Sequence, residues 1–215
     1  MSAATAGFNG VIDISHHQPV VDWDAVRAAG IVAVIHTATE GATFRDPAYA
    51  KRREAARAAG LLWGSYHYAG TADAALQVEA YLDHARPDER DLVCLDYEAG
   101  ADGAVMPPDA LLRFVTLIHD RLGRWPLLYG GRLLALAAAA TDSAILARCP
   151  LWLARYGEVP PDAPPPWTRW TLWQYTDGAD GPEPRTAPGI GCCDRDAFNG
   201  TREELLAAWP FGAGI

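Results

Sequence analysis

Short apolar segments alternate with helical segments along most of this 215-residue chain, and this alternation restricts its fold more than any other feature. Helical segments lie at 23–30, 46–60, 71–85 and 107–123, and several of them end on glycine, a helix C-terminal signal. Strands that alternate with helices indicate parallel βα units, and continuous apolar strands indicate a sheet covered on both faces. Eight segments read as strands: GVIDI (10–14), IVAVIHT (31–37), LLWGSYHY (61–68), LVCLDYE (92–98), PLLYG (126–130), PLWLARY (150–156), TLWQYT (171–176) and the weaker GIGCCDRD (189–196).

This pattern predicts an α/β fold, as a compact modified (β/α)8-type barrel in a single domain that spans residues 1–215. An open doubly wound sheet is the alternative. The proline-rich segment 159–166 resembles a linker, but strand-like segments precede and follow it, so we interpret it as an internal loop. The alanine-rich segment 135–144 predicts one further helix.

Charge and composition exclude several classes of partner. The formal net charge of −9 argues against nucleic acid, which requires basic patches. No segment approaches the roughly 18 consecutive apolar residues of a membrane span, and MSAATAGFNG at the start has no signal-peptide pattern. None of the four cysteines has CxxC spacing, so we expect no zinc site. The adjacent His16 and His17 would point to opposite faces of an extended strand, so we expect no other metal site there either. We expect a monomer.

Polar residues collect where the predicted strands end. In a βα barrel these C-terminal ends form the rim that carries the active site. Buried polar groups cost free energy unless they are satisfied, so their repeated placement at one rim indicates a site. The residues are Asp13, His67, Asp96 with Glu98, Tyr129, Arg155, Gln174 and Asp194.

Asp96 and Glu98 are two residues apart on one predicted strand. Such residues point to the same face, with Cα atoms about 6.5 Å apart. Two carboxylates at this separation interact, so that one pKa rises while the other stays low. The pair would supply one protonated acid and one ionised partner, which is what glycosidic bond cleavage needs. Asp13 and Asp194 on other strands strengthen this interpretation.

Several motifs occur in the order of a known family: GVIDISHHQPVVDWDAV at the start, then TATEG (37–41), GSYHYA (64–69), LDYE (95–98), LWLARY (151–156), LWQYTDG (172–178) and CDRDAFNG (193–200). With these motifs the chain resembles the glycoside hydrolase family 25 lysozymes, the Chalaropsis-type muramidases. The resemblance spans nearly the whole chain.

The resemblance implies hydrolysis of the β-1,4 bond between N-acetylmuramic acid and N-acetylglucosamine in peptidoglycan, without a cofactor. Glu98 would be the general acid, and Asp96 would orient or stabilise the substrate's 2-acetamido group or a water. Direct attack by water and participation of the acetamido oxygen both remain open. Asp13 and Asp194 would complete an acidic floor. The saccharide groove would be lined by Tyr66, His67, Tyr129, Trp152, Arg155 and Gln174.

The chain also departs from the family pattern. Thr37 stands where a lysine is frequent, and Asp196 stands where asparagine is usual. Neither change removes a carboxylate of the site, so we expect activity. We find no cell-wall-binding repeat and expect 1–215 to be a catalytic domain alone. Without a signal peptide, an endolysin-like enzyme would reach the wall through a phage pore, a delivery machine, or a phage or secretion assembly.

Two other functions remain open at this stage. A barrel that binds peptidoglycan or another glycan without cleaving it would show tight binding and no turnover. A metal-dependent hydrolase using Asp13, His67 and Asp194 would lose activity on chelation.

Overall fold

The computed structural model describes residues 7–19 and 22–212, so the first six residues, on which the signal-peptide expectation partly depends, lie outside the described chain. The strands are β1 (Phe8–Ile14), β2 (Ala33–Glu40), β3 (Phe44–Arg45), β4 (Leu62–Tyr68), β5 (Leu92–Asp96), β6 (Leu127–Gly130), β7 (Leu151–Ala154), β8 (Leu172–Thr176), β9 (Thr186–Ala187), β10 (Gly191–Cys192) and β11 (Asp194–Phe198). The helices are α1 (Trp23–Ala28), α2 (Tyr49–Ala58), α3 (Ala74–Ala85), α4 (Pro108–Leu122), α5 (Arg132–Ala139), α6 (Ser143–Leu146) and α7 (Arg202–Ala208).

Eight strands close into one barrel in the order β1, β2, β4, β5, β6, β7, β8 and β11. The pairing of β1 with β2 on one side and β11 on the other completes the ring. The predicted α/β barrel is therefore confirmed, and the open doubly wound sheet is wrong. One strand differs from the predicted parallel arrangement, because β11 runs antiparallel to both β1 and β8.

The last strand lies later in the chain than predicted. The predicted segment 189–196 contains β10, which pairs with β9 in a small hairpin, and only the first part of β11. Gly189 and Gly191 have φ angles of 85° and 91°, so the segment before β11 turns instead of extending into the barrel. Because β11 is antiparallel, its first residue lies at the rim formed by the C-terminal ends of the other strands.

The alanine-rich segment departs from the single helix predicted for it, whereas α4 ends where the sequence predicts. The alanine-rich segment forms two short helices, because Asp142 ends the connection after α5 and caps α6 by accepting a hydrogen bond from Ala144 N at 3.1 Å. Helix α4 ends as predicted at Gly123, whose φ of 68° is the left-handed conformation that glycine accepts readily. Within residues 7–19 and 22–212, no helix has both the length and the apolar character that crossing a membrane demands.

The two faces of each strand pack against different surroundings. Alternate residues point into the barrel, where Val11, Ala33, Leu92 and Leu127 form an apolar lower layer. The stacked rings of Phe198 and Phe211, with centroids 5.7 Å apart, belong to this layer. The intervening residues point outward and pack under the helices, as Ile12, Val34, Leu95 and Trp173 do. A polar side chain on the inner face, above the apolar layer, can therefore be reached only from the rim.

Candidate active site

A cavity of about 190 Å³ opens above the apolar layer, at the C-terminal ends of the parallel strands. Eight of the ten site residues predicted from the sequence line it, and Tyr68 and Tyr156 line it without having been predicted. His67 and Arg155 do not. The lining residues are Asp13, Tyr66, Tyr68, Asp96, Glu98, Tyr129, Trp152, Tyr156, Gln174 and Asp194.

Asp96 and Glu98 stand at different depths. Asp96 is the last residue of β5 and only 7% exposed, whereas Glu98 follows the strand and is half-buried. Burial raises the pKa of Asp96 well above its usual range, and the negative charge of Glu98 raises it further. Burial also raises the pKa of Glu98. The sequence-based expectation of one raised and one low pKa therefore does not hold, because Asp96 is the more deeply buried of the two.

Asp13 and Asp194 face each other across the strand pair that closes the barrel. Gln174 Nε2 donates to Asp13 Oδ2 at 2.8 Å, and the Tyr129 hydroxyl donates to Gln174 Oε1 at 2.7 Å. These two hydrogen bonds hold the side chain of Asp13 in one orientation. Burial, followed by the charges of Asp194 and Asp196, raises the pKa of Asp13 well above its usual range. Burial raises the pKa of Asp194 to about 6.

Asp196 supports this cavity from below and was not predicted as a site residue. It follows Asp194 by two positions on β11, so its side chain points to the same inner face. It is fully buried, and its Oδ1 accepts a hydrogen bond from Trp152 Nε1 at 2.7 Å. The spacing of Asp194 and Asp196, two residues apart on one strand as Asp96 and Glu98 were predicted to be, is the sequence signal that could have revealed it.

The segment that follows Asp13 is anchored from outside the barrel. Arg52 on α2 donates to the carbonyl oxygens of Ser15 and Gln18. The buried carboxylate of Asp46 accepts from His16 N at 3.0 Å and lies 3.0 Å from His16 Nδ1. These contacts fix the first loop of the rim, and with it the end of β1 that carries Asp13.

His67 lies on the outer face of β4, away from the cavity. Tyr66 and Tyr68 on either side of it line the cavity, so strand alternation turns His67 toward the helices. Thr39 Oγ1 is 2.7 Å from its Nδ1, and Gln77 Oε1 is 3.0 Å from its Nε2. Burial lowers the pKa of His67 to about 4, so the ring is neutral at physiological pH. The expected groove role does not match this position, and the alternative metal set of Asp13, His67 and Asp194 does not converge.

Arg155 also lies outside the cavity. Strand β7 ends at Ala154, so strand alternation no longer sets the direction of the next side chains. Arg155 is exposed, and no carboxylate of the described residues lies within ion-pair distance of it. Its position does not match the expected role in lining the groove. Its neighbour Tyr156 takes the place at the cavity and also borders a more open depression of about 580 Å³, together with Glu158, Glu183 and Arg185.

A larger depression, of about 780 Å³, lies elsewhere, between α2, α3 and the loop before β5. Two of its arginines are paired with carboxylates, since Arg57 Nη1 lies 2.8 Å from Asp88 Oδ2 and Arg53 pairs with Asp91. It holds no cluster of unpaired polar groups comparable to that of the smaller cavity. We therefore take the carboxylate cavity as the candidate active site.

Paired carboxyl groups at the C-terminal rim of an α/β barrel suit glycoside hydrolysis, which generally uses two Asp or Glu residues beside the scissile bond. The model of the family described as glycosyl hydrolases family 25 matches residues 12–183, and the chain belongs to that family. The family resemblance inferred from the motifs is thereby confirmed, and the protein is a glycoside hydrolase.

Relatives and solved structures agree with this assignment. The chain is 30% identical to lysozyme M1 of Streptomyces globisporus over 218 residues, covering 95% of this chain and 72% of that protein. It is 29% identical to the N,O-diacetylmuramidase of Chalaropsis, covering 77% of this chain and 86% of that protein. The crystal structure of the bacterial lysozyme from Streptomyces coelicolor superposes with a TM-score of 0.80 at 27% identity, covering 94% of this chain and 97% of that one.

Proposed function

We propose that this protein is a muramidase that cleaves the β-1,4 bond between N-acetylmuramic acid and N-acetylglucosamine in peptidoglycan. The observation that carries the proposal is the convergence of Asp13, Asp96, Glu98 and Asp194 in one cavity at the barrel rim. Relatives named lysozyme and N,O-diacetylmuramidase support it.

Glu98 is the general acid in this proposal. It is half-buried beyond the end of β5, where it remains accessible to a glycosidic oxygen in the cavity. Burial raises the pKa of Glu98, which favours the protonated form that a general acid requires. Proton donation to the leaving oxygen produces positive charge at the anomeric carbon, and the acidic floor formed by Asp13 and Asp194 stabilises that charge.

Asp96 is the partner of Glu98 and orients the substrate. Its Oδ1 is buried and has no hydrogen-bond partner among residues 7–19 and 22–212, so it is available as an acceptor for the N–H of a 2-acetamido group or for a water. The negative charge of an ionised Glu98 raises the pKa of Asp96, so the charge state of one group influences that of the other. Once Glu98 has donated its proton, the pair carries the charge that opposes the developing cation.

The walls of the cavity suit a glycan strand. Aromatic rings of Tyr66, Tyr68, Tyr129 and Trp152 line it, and such rings pack against the apolar faces of sugars while their polar atoms bond to hydroxyls. Tyr156 joins the cavity to the open depression of about 580 Å³, which provides room for further sugar units. We propose that the substrate is an extended strand and that residues 1–215 act on it as a monomeric catalytic domain. Delivery through a phage pore or a secretion assembly remains a prediction.

The test is mass spectrometry of purified peptidoglycan after digestion and reduction of the new ends. Reduced N-acetylmuramic acid at these ends supports the proposal, whereas reduced N-acetylglucosamine would identify a glucosaminidase and contradict it. Glu98→Gln should give no products, and Glu89→Gln, an exposed glutamate on a distant loop, is the matched control. Full activity of Glu98→Gln would overturn the assignment of the acid. Tight glycan binding by the unmutated protein without any cleavage would identify a binding barrel instead.

A further inference from the structure

The proposed acid, Glu98, depends on its backbone for its position. It lies two residues beyond the end of β5 and is not part of a strand. Its carboxyl group forms no hydrogen bond within residues 7–19 and 22–212. A general acid is effective only when its proton lies within hydrogen-bond reach of the leaving oxygen. The groups that hold the neighbouring backbone therefore decide whether Glu98 reaches that oxygen.

The backbone on either side of Glu98 is bonded to a different strand. On one side, Tyr97 N donates to Tyr129 O on β6 at 2.9 Å. On the other side, the hydroxyl group of Tyr68 on β4 donates to Ala99 O at 2.6 Å. Strands β4 and β6 are the two neighbours of β5 in the barrel. The two bonds therefore hold the backbone of Glu98 from opposite sides, and one of them comes from a side chain.

The loop that follows Glu98 is bonded across its own ends. Ala99 pairs with Val105 in a single antiparallel bridge, and the Tyr97 hydroxyl donates to Met106 O at 2.6 Å. These contacts join the beginning of the loop to its end, and they do not tie the loop to β4. The bond from Tyr68 makes that connection at Ala99, directly after the acid. Its loss would free this side of the loop to move away from the cavity.

Tyr68 lies where it can act on Glu98 without leaving the cavity wall. Its ring lines the cavity, and its Cα is the register partner of Asp96 on the adjacent strand. Burial, followed by the charges of Asp96 and Glu98, raises the pKa of Tyr68 to about 12, so the hydroxyl keeps its proton at neutral pH. A phenol has one proton to donate, and the bond to Ala99 uses it. A sugar can therefore meet Tyr68 only through the ring or by donating to its oxygen.

We propose that Tyr68 is a positioning residue whose hydroxyl group, by bonding the carbonyl oxygen of Ala99, fixes the backbone of Glu98 and places the acid against the glycosidic oxygen. The ring of Tyr68 is not sufficient for this role. The catalytic part of the inference rests on the proposed function, whereas the placement of Glu98 in the free protein does not.

The charged and titratable neighbours of Glu98 stay in place when the Tyr68 hydroxyl is removed. Each of them is a carboxyl or hydroxyl group: Asp96 on β5, Asp194 on β11, Tyr68 on β4, Tyr129 on β6 and Tyr156 after β7. Because Tyr68 is neutral, removing its hydroxyl changes no charge near the acid. Burial raises the pKa of Glu98, so a loosened and better hydrated carboxyl group should titrate closer to its ordinary value of 4.5.

Tyr68→Phe tests the proposal, because it removes the hydroxyl and keeps the ring in the cavity wall. On soluble peptidoglycan fragments, kcat should fall roughly tenfold while KM stays within about twofold, since the change misplaces the acid and leaves the binding surface intact. The alkaline limb of kcat should move toward lower pH by about half a unit or more. The unfolding equilibrium should shift by only about two- to tenfold, as expected for one hydrogen bond, so the variant stays folded.

Tyr175→Phe is the matched control. It also removes a tyrosine hydroxyl that donates to a backbone carbonyl, that of Pro184 at 3.1 Å, but it does so on the outer face of the barrel. Its stability should fall by a similar factor, while kcat and the pH profile should stay unchanged. A titration by nuclear magnetic resonance of protein with carbon-13-labelled glutamate needs no activity. The Glu98 signal, assigned by its absence in Glu98→Gln, should titrate at lower pH in Tyr68→Phe and at the original pH in Tyr175→Phe.

The remaining outcomes are decisive in the other direction. An increase of KM with unchanged kcat would make the Tyr68 hydroxyl a substrate contact and overturn the inference. An unchanged Glu98 titration in Tyr68→Phe, or an equal shift in Tyr175→Phe, would also overturn it. If the expected titration shift appears in a protein that does not cleave peptidoglycan, the proposed function fails and the positioning of Glu98 by Tyr68 stands.

Discussion

The two faces of the barrel wall differ in the hydrogen bonding of their buried side chains: the histidines of the outer face are fully bonded, whereas two carboxyl groups of the inner face are not. On the outer face, His36 is bonded through Nδ1 to Thr37 O at 2.6 Å and through Nε2 to Arg52 at 3.1 Å, and both ring nitrogens of His67 are also paired. On the inner face, Asp96 Oδ1 and Asp196 Oδ2 are buried and have no hydrogen-bond partner in the part of the chain that the structure describes. Buried polar groups that only support a fold are normally satisfied. An unsatisfied nitrogen also occurs on β11, but it belongs to Arg195, whose other two guanidinium nitrogens are bonded. The unsatisfied carboxylate oxygens of the inner face are therefore candidates for contact with a substrate or a water.

The two faces also respond to pH in opposite directions. Burial lowers the pKa of His36 and of His67 to about 4, so both rings are neutral at pH 7 and their contribution to stability is lost as the pH falls from 6.5 toward 4. Burial raises the pKa of the inner carboxyl groups, as for Asp194 to about 6, so this face loses stability as the pH rises above 3.8. Substitutions on the two faces should thus be distinguishable by pH alone.

The largest effect in this comparison is expected for Asp96→Asn on the inner face. Removal of the carboxylate should lower peptidoglycan hydrolysis on the order of 100-fold or more, because it removes the charge that opposes the developing cation. Stability above pH 6 should stay the same or increase, because a buried ionisable group is removed. Rates of reducing-end release and urea unfolding curves measure the two quantities. A destabilised but fully active variant would place Asp96 with the fold-supporting residues of the outer face.

His67→Leu should show the reverse pattern. The change leaves Thr39 Oγ1 and Gln77 Oε1 without their histidine partner, so the unfolding free energy should fall by about 2–3 kcal/mol at pH 7. Hydrolysis per folded molecule should stay within about twofold, as expected for a substitution away from the catalytic contacts. Because the unmutated ring stays neutral down to about pH 4, the stability difference should shrink as the pH falls from 6.5. A loss of activity without a loss of stability would show that His67 takes part in substrate binding or catalysis, contrary to this prediction.

These contrasts explain which parts of the molecule could be predicted. The apolar strands and glycine-terminated helices are local signals, and they predicted the barrel correctly. The sequence could not show which of Tyr66 and His67 faces the cavity. Both faces of a strand in a βα barrel are buried, so alternation indicates only that neighbouring side chains point to opposite faces. The predicted position of Arg155 in the groove is wrong for another reason. Strand β7 ends one residue earlier, at Ala154, so the strand does not direct the Arg155 side chain. The direction of β11 depended on the turns at Gly189 and Gly191, which no hydrophobic pattern reports.

The smallest effect is expected when a single tyrosine hydroxyl is removed, once on the inner face and once on the outer face. Tyr129→Phe removes an inner hydroxyl that orients Gln174 toward Asp13, whereas Tyr175→Phe removes an outer hydroxyl that accepts from Asn9 Nδ2 at 2.6 Å and donates to Pro184 O at 3.1 Å. Each variant should lose about 0.5–1.5 kcal/mol of stability, the usual net value of a hydrogen bond.

Only the inner variant should lose activity, by roughly three- to tenfold, since a difference of about 1 kcal/mol in holding Asp13 translates into a rate effect of that size. Parallel rate and unfolding measurements on both variants test this directly. Equal activity of the two would mean that the chain from Tyr129 through Gln174 does not position Asp13 during the reaction. The distinction between the faces would then rest on the carboxyl groups alone, because the hydroxyl and amide groups of the inner wall would serve the fold as those of the outer wall do.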